Sequence, residues 1–143
     1  MPQFTLNRTG KPPLSFEGEL IAEGKSPSHR RHLANSEAKA HWFEITVYRT
    51  TGGLLVGHIA YRWAGELFRE IDQDVTHVES DIPKLMAEMG KFDATACVGG
   101  FPHGSEFKSK QEKLMRAVAE DYKLLTTSIG QSLLSQAQPE VLK

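Results

Sequence analysis

The sequence predicts a single α+β domain over residues 1–143: a four-stranded antiparallel sheet, a short helix, then a long C-terminal helix packed on one sheet face. Three observations carry this. The stretch Trp42 to Trp63, WFEITVYRT-TGG-LLVGHIAYRW, reads as two strands around a glycine turn, since its first half is rich in the aromatic and β-branched residues that suit a pleated surface. Leu14, Phe16, Gly18, Leu20 and Ala22 alternate with polar or acidic residues, as in a half-buried strand. Apolar positions from Phe107 to Leu133 recur with a period near 3.6.

Taken in order, residues 1–13 are polar and end in Gly10-Lys11-Pro12-Pro13, a stiff, non-helical lead-in. The alternating strand runs from Leu14 to Glu23 with an acidic outer face. Residues 24–40 then interrupt it as a loop holding His29-Arg30-Arg31-His32, with Asn35 to Ala40 placed in a short helical turn. Connections of this length in compact domains are often functional.

In the hairpin, Gly52-Gly53 would supply the two positive φ angles of a type I′ turn. With those glycines as the whole loop, Thr51 pairs with Leu54. One face then carries Trp42 beside Trp63, Glu44 beside Tyr61, Thr46 beside Ile59 and Tyr48 beside Gly57. The other face has Phe43 beside Arg62, Ile45 beside Ala60, Val47 beside His58 and Arg49 beside Val56, an aliphatic centre suited to a core. A three-residue loop would change the relative parity of the strands and scramble this pairing.

A fourth strand follows from Glu66 to roughly Val78, anchored by Leu67, Ile71 and Val75, although their spacing also fits a helix. Ser80-Asp81 offers a cap, Pro83 is confined to a first turn and Gly90 offers a stop, so Ile82, Leu85, Met86 and Met89 form the stripe of a short helix. Residues 91–104 read as a loop. The long helix runs over 105–136, capped by Ser105 with Glu106 at its positive end. In element order, four strands and then a long helix is similar to Whirly-type single-strand DNA binders, an analogy of architecture that does not fix function.

With 17 Lys+Arg against 18 Asp+Glu the net charge is −1, so no bulk field draws nucleic acid or an anionic membrane. One cysteine, Cys97, excludes an internal disulfide and suits a reducing compartment. There is no secretory-type apolar run near Met1 and none approaching the ~20 residues of a membrane helix. A cytoplasmic protein without a membrane association is expected.

Several residue groups carry side chains suited to chemistry. His29, His32, His41 and Glu44 have ligand-type side chains for zinc, but lack the spacing of HExxH or paired CxxC motifs, so no metal and no cofactor is expected. His29, His32 or His41 as acid/base, with Arg30 and Arg31 (or Arg49 and Arg62) stabilising phosphate, would suit a metal-independent, ribonuclease-like phosphodiester cleavage. Gly99-Gly100 before a helix start does not match a P-loop or dinucleotide fingerprint. Cys97, among alanines and valine, reads as a buried structural thiol.

The strongest binding candidate is the aromatic face of Trp42, Tyr48, Tyr61 and Trp63, flanked by Arg49 and Arg62 and the His/Arg loop. Rings there would stack bases or pack on protein, and the cations would meet phosphates. The long helix, at ~45 Å against ~20 Å for a six-residue strand, outruns the sheet. Leu125, Ile129 and Leu133 are therefore the expected oligomer interface. The resulting expectation is a non-enzymatic binding or adaptor module, acting as a homo-oligomer or a small subunit of a larger complex, with nucleic acid as a candidate partner.

Overall fold

The computed structural model describes residues 2–31, 39–64, 73–97 and 105–136. The strands are β1 (Gln3–Arg8), β2 (Lys11–Lys25), β3 (His29–Arg31), β4 (Lys39–Thr50), β5 (Leu55–Trp63) and β6 (Gln73–Glu79). They are followed by α1 (Ile82–Gly90), a 3-10 turn (Ala94–Cys97) and α2 (Ser105–Gln136). All pairings are antiparallel in the order β1-β2-β4-β5-β6, with β3 pairing β4. The main path thus has five strands where the sequence led us to four. No helix among the described residues is long and apolar enough to cross a membrane.

The additional strand comes from the segment taken as a lead-in. Gly10, at φ 76, turns β1 back onto β2, with Phe4 opposite Phe16 and Leu6 opposite Leu14. The two prolines lie at the start of β2, a position compatible with a missing donor. β2 is not one alternating strand. A register shift between Leu20 and Ala22 exchanges its faces. Leu14 and Phe16 pack with Leu6, Phe4, Tyr48 and Val56 on the inner face of the sheet, whereas Ala22 joins the core beneath the helices. The bulge lets one strand serve two apolar clusters.

The central hairpin also departs from the expected register. Gly53, at φ 88, is its only positive-φ glycine, and its N–H donates to the Thr50 carbonyl at 2.9 Å. Thr50 in turn donates to Leu54 at 2.8 Å, so the loop is the three residues Thr51-Gly52-Gly53. A turn closed by one left-handed residue replaces the two-residue type I′ turn. His41 therefore faces Trp63, Phe43 faces Tyr61, Ile45 faces Ile59 and Val47 faces Gly57. The opposite face pairs Trp42 with Arg62, Glu44 with Ala60, Thr46 with His58 and Tyr48 with Val56.

Two further expectations shift. Lys39 and Ala40, assigned to a helical turn, are strand, and His29–Arg31 pairs with them rather than forming loop. The fourth expected strand is seen as β6 from Gln73, which settles the helix-or-strand ambiguity for Val75. Leu67 and Ile71 lie outside the described residues, as do Asn35 and the Gly99-Gly100 segment.

Asp81 caps α1, its carboxylate accepting from the Lys84 amide at 2.9 Å, and Leu85 and Met89 are fully buried. Helix α2 lays Val118, Tyr122, Leu125, Ile129 and Leu133 onto Phe43, Ile45, Val47, Ile59 and Tyr61. This corrects the proposed oligomer interface, because Leu125, Ile129 and Leu133 are core residues of their own chain. The reason is length: β2 has 15 residues and β4 has 12, twice the strand assumed or more. Gln136 at the helix end still reaches the sheet, donating to the Ile21 carbonyl at 2.7 Å.

Candidate functional site

Ser26 interrupts the ladder between β2 and β3 yet keeps both on the same edge of β4. Its amide donates to the Phe43 carbonyl at 2.9 Å, and its hydroxyl accepts from the Phe43 amide at 2.9 Å. Lys25 pairs with Glu44, and beyond the Ser-Pro-Ser break His29 pairs with His41, Arg30 with Ala40 and Arg31 with Lys39. Four basic residues and two histidines are thereby threaded through one end of the sheet. Lys25 Nζ sits 4.4 Å from the centre of the Trp42 ring, a cation–π arrangement.

At this same end, His29 Nε2 and Asp121 Oδ2 of α2 are 2.6 Å apart, with both side chains about a quarter exposed (25% and 22%). The His41 ring is buried 5.9 Å from that of His29 and stacks on Trp63 at 4.6 Å. Its Nδ1 is 3.2 Å from the Tyr61 hydroxyl. The carboxylate fixes the His29 ring, and the strand register places His41 beside it.

A second polar cluster occupies the other face of the sheet. Asp74 holds Arg62 through both carboxylate oxygens, at 2.5 and 3.1 Å. Its Oδ1 also lies 3.0 Å from His58 Nε2, outside good hydrogen-bond alignment. Burial pushes the His58 pKa below its ordinary value, and Arg62 adds to the depression; Asp74 opposes both. Thr46 Oγ1, across the strand from His58, and Trp42 Nε1 are buried on this same face without a hydrogen-bond partner among the described residues.

The structure divides the expected aromatic face. Trp42 and Tyr48 stand on the inner side, Tyr48 within an aromatic trio with Phe4 and Phe16. Tyr61 and Trp63 are buried on the opposite, helix-covered side. Arg49 is exposed near the hairpin turn, far along β4 from Trp42, and Arg62 is engaged by Asp74. Of the candidate acid/base residues, His29 and His41 come together, Arg30 and Arg31 adjoin them in β3, and His32 lies outside the described residues.

Sequence reasoning did not pick out Asp121, His58 or Asp74. Asp121 sits in what reads as an ordinary mixed-charge helix face. The pairing of His58 with Asp74 depends on a register that the turn alone decides. Cys97 is buried, and desolvation pushes its thiol up to about 11, as fits a structural cysteine rather than a nucleophile. Among the described residues no group of three or more His, Cys, Asp and Glu is arranged to hold a metal ion. Glu44 pairs with Ala60 and Lys25 on the face opposite His41.

No known protein family, curated protein or solved structure matches this chain.

Proposed function

We propose that this chain is a non-enzymatic binding module that contacts an anionic partner, single-stranded nucleic acid, through the basic end formed by β3 and the start of β4. The observation that carries this reading is the register that sets Arg31 opposite Lys39. Like charges at directly opposed positions destabilise a strand pair. Arg30 and Lys25 lie on the same edge of β4, Lys25 opposite Glu44, in a chain whose overall charge is −1, so the repulsion is local. A phosphate backbone offsets it and releases counterions. Trp42, already beneath the Lys25 ammonium, supplies an aromatic surface beside the cations.

Self-association through Leu125, Ile129 and Leu133 is not part of this reading, since those side chains are spent in the core. Membership of a larger complex would use the outer surface of α2, where Leu124 and Leu134 are exposed.

The test is fluorescence anisotropy with a labelled single-stranded oligonucleotide against wild type and the Arg30→Glu/Arg31→Glu double variant. Binding that falls with salt in the wild type and is lost in the variant supports the reading. Equal binding by both, or none by the wild type, overturns it.

The close His29–Asp121 pair favours a second reading, phosphodiester cleavage with His29 as acid or base and the β3 arginines at phosphate. The two readings separate on His29→Ala. A binding module keeps its affinity. An enzyme keeps substrate binding and loses turnover of an RNA oligonucleotide.

A further inference from the structure

We propose that the β1–β2 hairpin is a flap over the inner face of the sheet, held shut at Asp74 and His58 and released when the His58 ring takes a proton. The geometry is specific. Among the described residues β1 pairs in the sheet only with β2, and the turn that follows it reaches β6. There Thr9 donates its amide to the Asp74 carbonyl at 2.8 Å, and the Thr9 hydroxyl accepts from the Asp74 amide at 2.8 Å. The His58 ring lies against the main chain of Asn7, two residues earlier in β1. Asp74 is thus the junction of three attachments: Thr9 through its backbone, and Arg62 and His58 through its carboxylate.

What the flap covers is apolar. Leu6 and Phe4 of β1, with Leu14 and Phe16 of β2, close over Tyr48 and Val56. Phe4 and Phe16 stand 4.6 and 5.3 Å from the Tyr48 ring. β2 pairs with β4 from Gly18 to Lys25, so the covering half of β2 ends at Glu17, ahead of the face change at Leu20/Ala22.

A charge on His58 opposes closure for a reason visible in its surroundings. From β6 it faces Asp74 and Thr76, from β4 Thr46, from its own strand Arg62, and from β1 the Asn7 main chain, whose hydrogen bond favours the charged ring. One row away in register stand Glu44 on β4 and Lys25 on β2, with Glu23 opposite Thr46. Among the described residues the carboxylate in contact is Asp74, which is already neutralised by the two-pronged Arg62 pair, so it has little left for an imidazolium. Burial and the nearby guanidinium then dominate, consistent with the depressed pKa. Opening the flap returns the ring to water and to its ordinary value of 6.5. The neutral ring therefore favours closure above that pH, and the preference is lost as pH falls through the closed-state value.

The experiment is amide hydrogen exchange by NMR on the full chain from pH 7.5 to 5, corrected for intrinsic rates. The expected result is a selective loss of protection at Thr9, bonded to Asp74, and at Thr51, bonded to Glu17 of the hairpin, while amides between β4 and β5 keep theirs. The loss should reach about tenfold for each pH unit separating the closed and open His58 midpoints. His58→Gln should keep protection constant across the range. Unchanged protection in wild type, or the same loss in His58→Gln, overturns the proposal. Should His58→Gln fail to fold, the wild-type shifts decide. Thr9 and Asp74 amide shifts must follow the His58 ring midpoint below 6.5, and following His29 or His77 instead would overturn it.

Discussion

Asp74 grips Arg62 with both carboxylate oxygens while its own main chain is bonded on either side to Thr9. One residue therefore joins the guanidinium of β5 to the end of β1. Asp74→Ala removes two charge-assisted bonds and leaves Arg62, about a quarter exposed, partly uncompensated. The expected loss is about 2–3 kcal/mol, read from urea unfolding. A change below about 0.5 kcal/mol would show that solvent already satisfies Arg62.

Close packing at two glycines should rank their alanine variants. A Cβ on Gly57 would sit 2.7 Å from Met89 Sδ and 2.9 Å from Leu85 Cδ1, flexible side-chain ends that can give. Gly57→Ala should cost about 1–3 kcal/mol. A Cβ on Gly18 would instead collide with the Arg49 carbonyl, which is backbone. Thermal denaturation should place Gly18→Ala below Gly57→Ala, and the reverse order would contradict the β2–β4 register.

Helix α2 offers a contrast between its two sides. Ile129→Ala opens a cavity beneath the sheet and should cost about 2–5 kcal/mol, whereas Leu124→Ser on the outer side should stay within about 0.5 kcal/mol. Light scattering should show that Ile129→Ala acts on stability within one chain, with no change in mass while it remains folded. A change in mass at unaltered stability would restore the interface role.

Cys97 supplies a test at high pH. Its thiol is raised from 9.0 to about 11 by burial, with Asp93 adding to the effect. A folded pKa above the unfolded one means that this contribution to stability is complete below pH 9 and is lost as pH rises through about 11. Native-state alkylation at pH 8 should run roughly a hundredfold slower than in urea, as the thiolate population dictates. Equal rates would place Cys97 in solvent.

Much of the fold was legible because local rules and tertiary packing agree in the helices. Asp81, Pro83 and the Leu85/Met89 stripe define α1, and the bounds 105–136 follow from a periodicity that the core then uses. The sheet was harder to read. Gly52 and Gly53 look alike in sequence, yet only Gly53 takes a positive φ, and that choice shifts every pair from Trp42 onward by one residue. The shift sends Tyr61 and Trp63 to the core side and brings His58 beside Asp74, so the aromatic face fails for the same reason the polar cluster went unseen. The β1–β2 hairpin was missed because a polar, proline-containing segment carries little strand signal until Phe4 and Leu6 find Phe16 and Leu14. The basic run His29-Arg30-Arg31 was visible, but its opposition to Lys39 was not.

The most direct test of the central claim is the salt dependence of oligonucleotide binding for wild type and for Arg30→Gln, Arg31→Gln and Lys39→Gln. Each cation that meets a phosphate contributes about 0.7 to the slope of log K against log salt for a single strand. The account predicts a steep wild-type slope that each substitution lowers by about that amount, with a small gain in stability where Arg31 or Lys39 is replaced. A wild-type slope near zero, or substitutions that leave the slope intact, would contradict a phosphate-binding role for this end of the sheet.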